Sequence, residues 1–167
     1  MSTRNQAGWF ILPCVMSVCA LARASGDLST ALHVTRIVMQ SDGTESNEPA
    51  NSAKPGDVLE YVAEYHNGST HVIKQLAATL PIPNGTEYVP TSALPADALA
   101  STDGTHFSRV PLTRKVIEAS GKLLDQPIPY REYRFLRWPP QDLAAGKTLQ
   151  IAARVKLSTE RSLQAAH

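Results

Sequence analysis

From Leu149 to Leu157, the apolar residues Leu149, Ile151, Ala153, Val155 and Leu157 are interleaved with Thr148, Gln150, Arg154 and Lys156. A period of two sends neighbouring side chains to opposite faces, which a strand accommodates and a helix does not. Val58 to His66 repeats the pattern, with Leu59, Tyr61, Ala63 and Tyr65 on one face and Glu60, Glu64 and His66 on the other. Leu32 to Gln40, Val72 to Leu80, Thr86 to Thr91, Thr105 to Val110, Leu112 to Ala119 and Tyr130 to Trp138 also read as strands. No stretch carries a long 3.6-residue apolar stripe. The alanines of Ala93 to Ala100 leave room for one helical turn, limited by Pro95.

Glycine punctuates these segments at Pro55-Gly56-Asp57, Asn67-Gly68-Ser69, Asn84-Gly85-Thr86, Asp103-Gly104-Thr105 and Ala145-Gly146-Lys147. Each places a glycine where a turn can use positive φ. Two of these also match the N-glycosylation acceptor pattern and are read here as turns. Seven to eight short strands with such punctuation predict an all-β antiparallel sandwich. The polar segment Ser41 to Ala53 is expected to be a mobile loop. Leu59, Tyr61, Tyr65, Leu76, Tyr88, Trp138, Leu149, Ile151 and Val155 are the expected core.

The first residues read as an address rather than as part of the fold. Arg4 precedes an apolar run from Trp9 to Ala22, and Ala22-Arg23-Ala24 offers a small-x-small cleavage site. The run has 14 residues, short of the roughly 20 that a membrane span needs. Residues 1–24 are therefore expected to be a removed signal peptide, 25–158 the domain and 159–167 a tail. Pro13 and Val18, before Cys14 and Cys19, do not fit a lipoprotein cleavage site.

Removing 24 of the 167 residues leaves 143 and takes both cysteines with it. The domain then has no disulfide and depends on its apolar core, which a chain of this size can build. It also has no cysteine nucleophile, thiolate metal site or thiol redox chemistry. Two of the 16 basic residues lie in the leader and all 15 acidic ones lie beyond it, so the net charge becomes −1. Such a balance is not the basic footprint of a nucleic-acid binder.

Few constellations suggest chemistry. His66 and His71 flank an expected hairpin at Asn67 to Thr70, and Glu64 shares the His66 face, a donor set that zinc or copper accepts. The spacing is generic, and no metal or other cofactor is expected. Gly-x-Ser-x-Gly, Ser-x-x-Lys and dinucleotide-binding motifs are absent. Trp138 reads as the plug between sheets, with a sugar-stacking platform as the alternative. Arg131, Arg134 and Arg137 alternate among Tyr130, Tyr133, Phe135 and Trp138, which places arginines on both faces of the expected strand. A strand so charged belongs at an edge, where it repels aggregation or docks an acidic partner.

The run from Lys54 to Ala93 resembles the bacterial conserved-repeat domain known as domain of unknown function 11. The matching residues are Pro55-Gly56-Asp57, Tyr61, Asn67-Gly68, Pro81 to Gly85, and Tyr88-Val89 through Ser92. Trp138 and the segment Leu143 to Lys147, with Gly146, resemble the family's closing strand and turn. Leu80 stands where the family has Asp, and Ala145 where Pro is common. The resemblance implies an immunoglobulin-like sandwich in a secreted or envelope protein, without a catalytic residue set. The expected function is that of an exported, non-catalytic envelope module, periplasmic or extracellular, that holds or spaces a protein partner. A carbohydrate- or metal-binding protein is the alternative.

Overall fold

A computed structural model describes residues 27–119 and 121–159; the expected signal peptide and nearly all of the expected tail lie outside them. The strands, in chain order, are β1 (Leu28–Met39), β2 (Glu45–Pro49), β3 (Val58–Asn67), β4 (Ile73–Leu76), β5 (Thr79–Pro81), β6 (Thr86–Tyr88) and β7 (Leu99–Ser101). They continue as β8 (Ser108–Arg109), β9 (Thr113–Ile117), β10 (Leu123–Pro127), β11 (Phe135–Arg137), β12 (Gln141–Leu143) and β13 (Thr148–Leu157). One sheet runs β2-β1-β3-β13-β6 and another β5-β11-β7-β8, with two-stranded pairs β12-β4 and β10-β9. Every pairing is antiparallel. The all-β sandwich expected from the sequence is the fold, though its strands are shorter and more numerous than seven or eight.

The two clearest alternations lie side by side in the large sheet. β3 and β13 pair so that Tyr65 faces Leu149, Ala63 faces Ile151, Tyr61 faces Ala153 and Leu59 faces Val155. An alanine opposite a larger residue at two of these positions keeps the layer level. Leu59, Ala63, Ile151, Ala153 and Val155 share one buried cluster with Leu80, Ala100, Leu136 and Trp138 of the opposing layer. Of the expected core, Leu59, Tyr88, Trp138, Ile151 and Val155 are buried, while Tyr61, Tyr65 and Leu149 are half-buried against it. Leu76 is only partly covered.

Three expectations need correction. Ser41 to Ala53 is not all loop: Glu45–Pro49 pairs with Thr35–Met39, and Ala50–Ser52 forms a 3-10 turn. Its polar composition marks an edge strand rather than a loop. In Ala93 to Ala100, Leu94 bridges to Ala152 and Leu99 opens β7, with a tight turn at Ala96 and Asp97 between them in place of a helical turn. Tyr130 to Trp138 is not one strand. Pro129 holds φ −57° and initiates a 3-10 turn at Tyr130–Glu132, leaving only Phe135–Arg137 extended. That strand lies between β5 and β7, so it is not an edge.

The tyrosines explain the break. Tyr133 stacks on Tyr88 at 6.0 Å and meets Tyr130 edge-on at 5.2 Å, geometries favoured by ring quadrupoles. The buried Tyr133 hydroxyl accepts the Leu112 amide at 2.7 Å. A straight strand would send Tyr130 and Tyr133 to opposite faces.

Candidate functional site

The glycine-containing turns are fasteners. In Pro55-Gly56-Asp57, Gly56 holds φ +94° and donates to Leu157 O, while Asp57 O accepts the Leu157 amide. The Asp57 carboxylate accepts the Lys54 amide at 2.9 Å and Arg36 at 3.2 Å. These donors hold its pKa below the usual carboxylate range, the Lys54 amide contributing most. Arg36 also bonds Glu48, so the motif ties the start of β3 to the β1–β2 hairpin and the end of β13. Asn67-Gly68 and Gly146 form a second fastener. Gly146 N donates to Asn67 O, and Gly68 N donates to Asp27 O.

β3 and β4 belong to different sheets, so Asn67 to Thr70 is an arch between layers and not the expected hairpin. The candidate metal ligands accordingly have separate settings. His66 Nδ1 lies 3.1 Å from Thr148 Oγ1, His71 Nδ1 lies 3.2 Å from Thr70 Oγ1, and Glu64 accepts from Gln150 at 3.0 Å. Among the described residues no three His, Cys, Asp or Glu side chains form a metal-holding group.

The arginines are dispersed too. Arg131 is exposed on the 3-10 turn, whereas Arg134 donates to the carbonyls of Arg131 and Tyr133. The Arg137 guanidinium covers the Phe107 ring, 3.6 Å from its centroid. They do not share the single edge strand expected from the sequence. Trp138 is 1% exposed and donates its indole N–H to Pro95 O at 2.8 Å, so it cannot present a sugar platform.

Two groupings were not anticipated. Ser101, Asp103 and His106 lie together, but the Ser101 hydroxyl donates to Asp103 at 2.9 Å and accepts the Asp103 and Gly104 amides. Asp103 in turn contacts His106 Nδ1 at 2.7 Å and accepts the Thr105 and His106 amides. These donors, His106 first, hold the Asp103 carboxyl well below its usual range. With the serine proton directed to the carboxylate, the set closes a loop rather than activating a nucleophile. A surface hollow lined by Glu60, Thr91, Ser92, Leu94 and Arg154 is the second. Arg154 is held there by two bonds to Glu45 and one to Glu60, so its charge is already matched.

The first half of β1 is different in kind. β1 pairs with β3 from Leu28 to Ile37, but with β2 only from Thr35 to Met39. Gly68 N donates to Asp27 O on the β3 side, and Gln40 N donates to Thr44 O on the β2 side. Antiparallel bonding alternates along a strand, so odd-numbered residues of β1 bond β3 and even-numbered ones face outward. The backbone groups of Leu28, Thr30 and Leu32 thus point to an edge that no described strand occupies, whereas Val34 lies opposite Ala50, where the β2 side is already filled. Leu32 sits on the core-facing side, opposite the buried Ala63, yet is 50% exposed.

Other terminal strands carry the usual protection. β2 has Glu45, Glu48 and Pro49; β6 has Glu87; β5 has Pro81; β8 has Arg109. The two-stranded pairs show Lys74, Asp142, Arg114, Lys115 and Asp125. Charge or proline at an edge discourages added strands. Leu28 to Val34 has neither. Its one sequence signal is an uncharged, β-compatible run between Asp27 and Arg36.

Comparison with models of known protein families, with curated proteins and with solved structures finds no match.

Proposed function

We propose that this chain is an exported, non-catalytic module of the bacterial envelope that engages another protein through the open edge of β1. The observation supporting this is the uncharged stretch Leu28–His33, with the outward backbone N–H and C=O pairs of Leu28, Thr30 and Leu32 on a strand held by β3 along its other side. An incoming strand gains main-chain hydrogen bonds there and covers Leu32, which combines affinity with register. The leader-like first 24 residues support a periplasmic or extracellular site of action, and the resemblance at Pro55-Gly56-Asp57, Asn67-Gly68 and Trp138 supports an envelope role.

Pull-down from periplasmic and outer-membrane extracts tests the reading, with wild type and Leu32→Lys as paired baits. A specific partner captured by wild type and lost with Leu32→Lys, at nearly unchanged Tm, is the expected result. A substitution at such an exposed position changes folding by only about 0.5 kcal/mol. Equal capture by both baits would move the surface elsewhere. Capture of a glycan or metal in place of protein would favour the small-ligand alternative.

A further inference from the structure

We infer that Asn84 is a site of spontaneous covalent modification, cyclising with Gly85 to a succinimide that opens to aspartate and isoaspartate. Four places in the described chain put Asn or Asp before glycine: Asp42-Gly43, Asn67-Gly68, Asn84-Gly85 and Asp103-Gly104. Glycine lacks a Cβ, so its amide nitrogen can approach the preceding side-chain carbonyl closely. The sequence treats the two asparagines alike, and the fold separates them.

At three of these places the glycine N–H is already committed. Gly43 N donates to Gln40 O at 3.0 Å, Gly68 N to Asp27 O at 2.9 Å and Gly104 N to Ser101 Oγ at 2.9 Å. Asn67 is held a second way. It is buried, its amide donates to His71 O and Leu143 O, and its oxygen accepts from Ser69. Its carbonyl carbon cannot swing onto Gly68 N without breaking these bonds. Asn84 and Gly85, by contrast, are exposed in the turn between β5 and β6. Among the described residues nothing accepts the Gly85 N–H, and nothing bonds the Asn84 side chain. The turn is anchored through other atoms: Thr86 Oγ1 donates to Pro83 O at 2.7 Å, and Ser158 N donates to Gly85 O at 2.9 Å. The reacting pair therefore meets without the local opening that a bonded amide requires.

The step balances with water alone. Gly85 N loses its proton to solvent and attacks Asn84 Cγ; the new C–N bond closes the ring as the Cγ–Nδ2 bond breaks and ammonia leaves. Water then opens the ring at Cγ, giving aspartate, or at the backbone carbonyl carbon of Asn84, giving isoaspartate. Either product carries a negative charge that asparagine lacks.

The test is incubation of the full chain in mildly alkaline buffer made with heavy-oxygen water, folded and in guanidinium, followed by peptide mass spectrometry. Unfolded chain should convert Asn67 and Asn84 at similar rates. Folded protein should convert Asn84, with heavy oxygen in the product and isoaspartate as its major form, and Asn67 at least about tenfold more slowly. Asn84→Gln should remove the acidic species seen on isoelectric focusing of the folded protein. Persistence of Asn84 in the folded protein would overturn the inference. Folded Asn67 converting as fast as Asn84 would overturn the claim that hydrogen bonding selects the site.

Discussion

The side-chain amide of Asn67 donates to the carbonyl of Leu143, 76 residues further along the chain, at 2.8 Å. Its second amide hydrogen goes to His71 O at 2.8 Å, and its oxygen accepts the Ser69 amide and hydroxyl. The backbone of Asn67 bonds Lys147 O and Gly146 N. One fully buried polar residue thereby joins the end of β3, the arch to β4 and the turn between β12 and β13.

Asn67→Ala removes four side-chain bonds and leaves buried partners unmatched, so it should cost about 2–4 kcal/mol in denaturant unfolding. Asn67→Asp, equal in size, should be at least as damaging. It replaces the two donors with an oxygen facing two carbonyls. A fully stable Asn67→Asp would show that the amide does not hold these elements together.

Gly104 provides a test of backbone geometry. It holds φ +77°, and a Cβ there would lie 2.9 Å from Phe135 Cε2. Gly104→Ala should destabilise by about 1–3 kcal/mol, since both the dihedral and the contact oppose it. A change below a few tenths would mean that the Phe135 ring and the turn yield freely.

Acid should weaken the fold through the fastened carboxylates. Asp57 and Asp103 have pKa values lowered in the folded state, by the donors at Lys54 and Arg36 and by those led by His106. Folded protein therefore binds fewer protons than unfolded chain, and their stabilisation is present above the unfolded value near about 3.9 and lost as pH falls below it. Tm should be level above about pH 5 and fall through pH 4 and below. Asp57→Asn should lower the plateau and make the fall shallower, and an unchanged profile would contradict this role.

How far the sequence reveals the molecule depends on how each residue is constrained. β3 and β13 are legible because both alternate and both bury one face in the same core. Trp138 and the turns at Gly56 and Gly146 follow from bulk and from backbone freedom. The Tyr130–Trp138 segment misleads because alternation there competes with Pro129 and with three tyrosines that pack together only if the chain turns. The pairing of Ser41 to Ala53 is hidden by its polarity, since an edge strand needs little apolar surface. The open edge of β1 depends on which strand stops short of which, and that is a property of topology rather than composition.

Amide hydrogen exchange along β1 tests the open edge most directly. Ser29, Ala31 and His33 should be protected by β3, while Thr30 and Leu32 exchange quickly. Uniform protection from Ser29 to His33 would show the edge already covered, and would contradict the account.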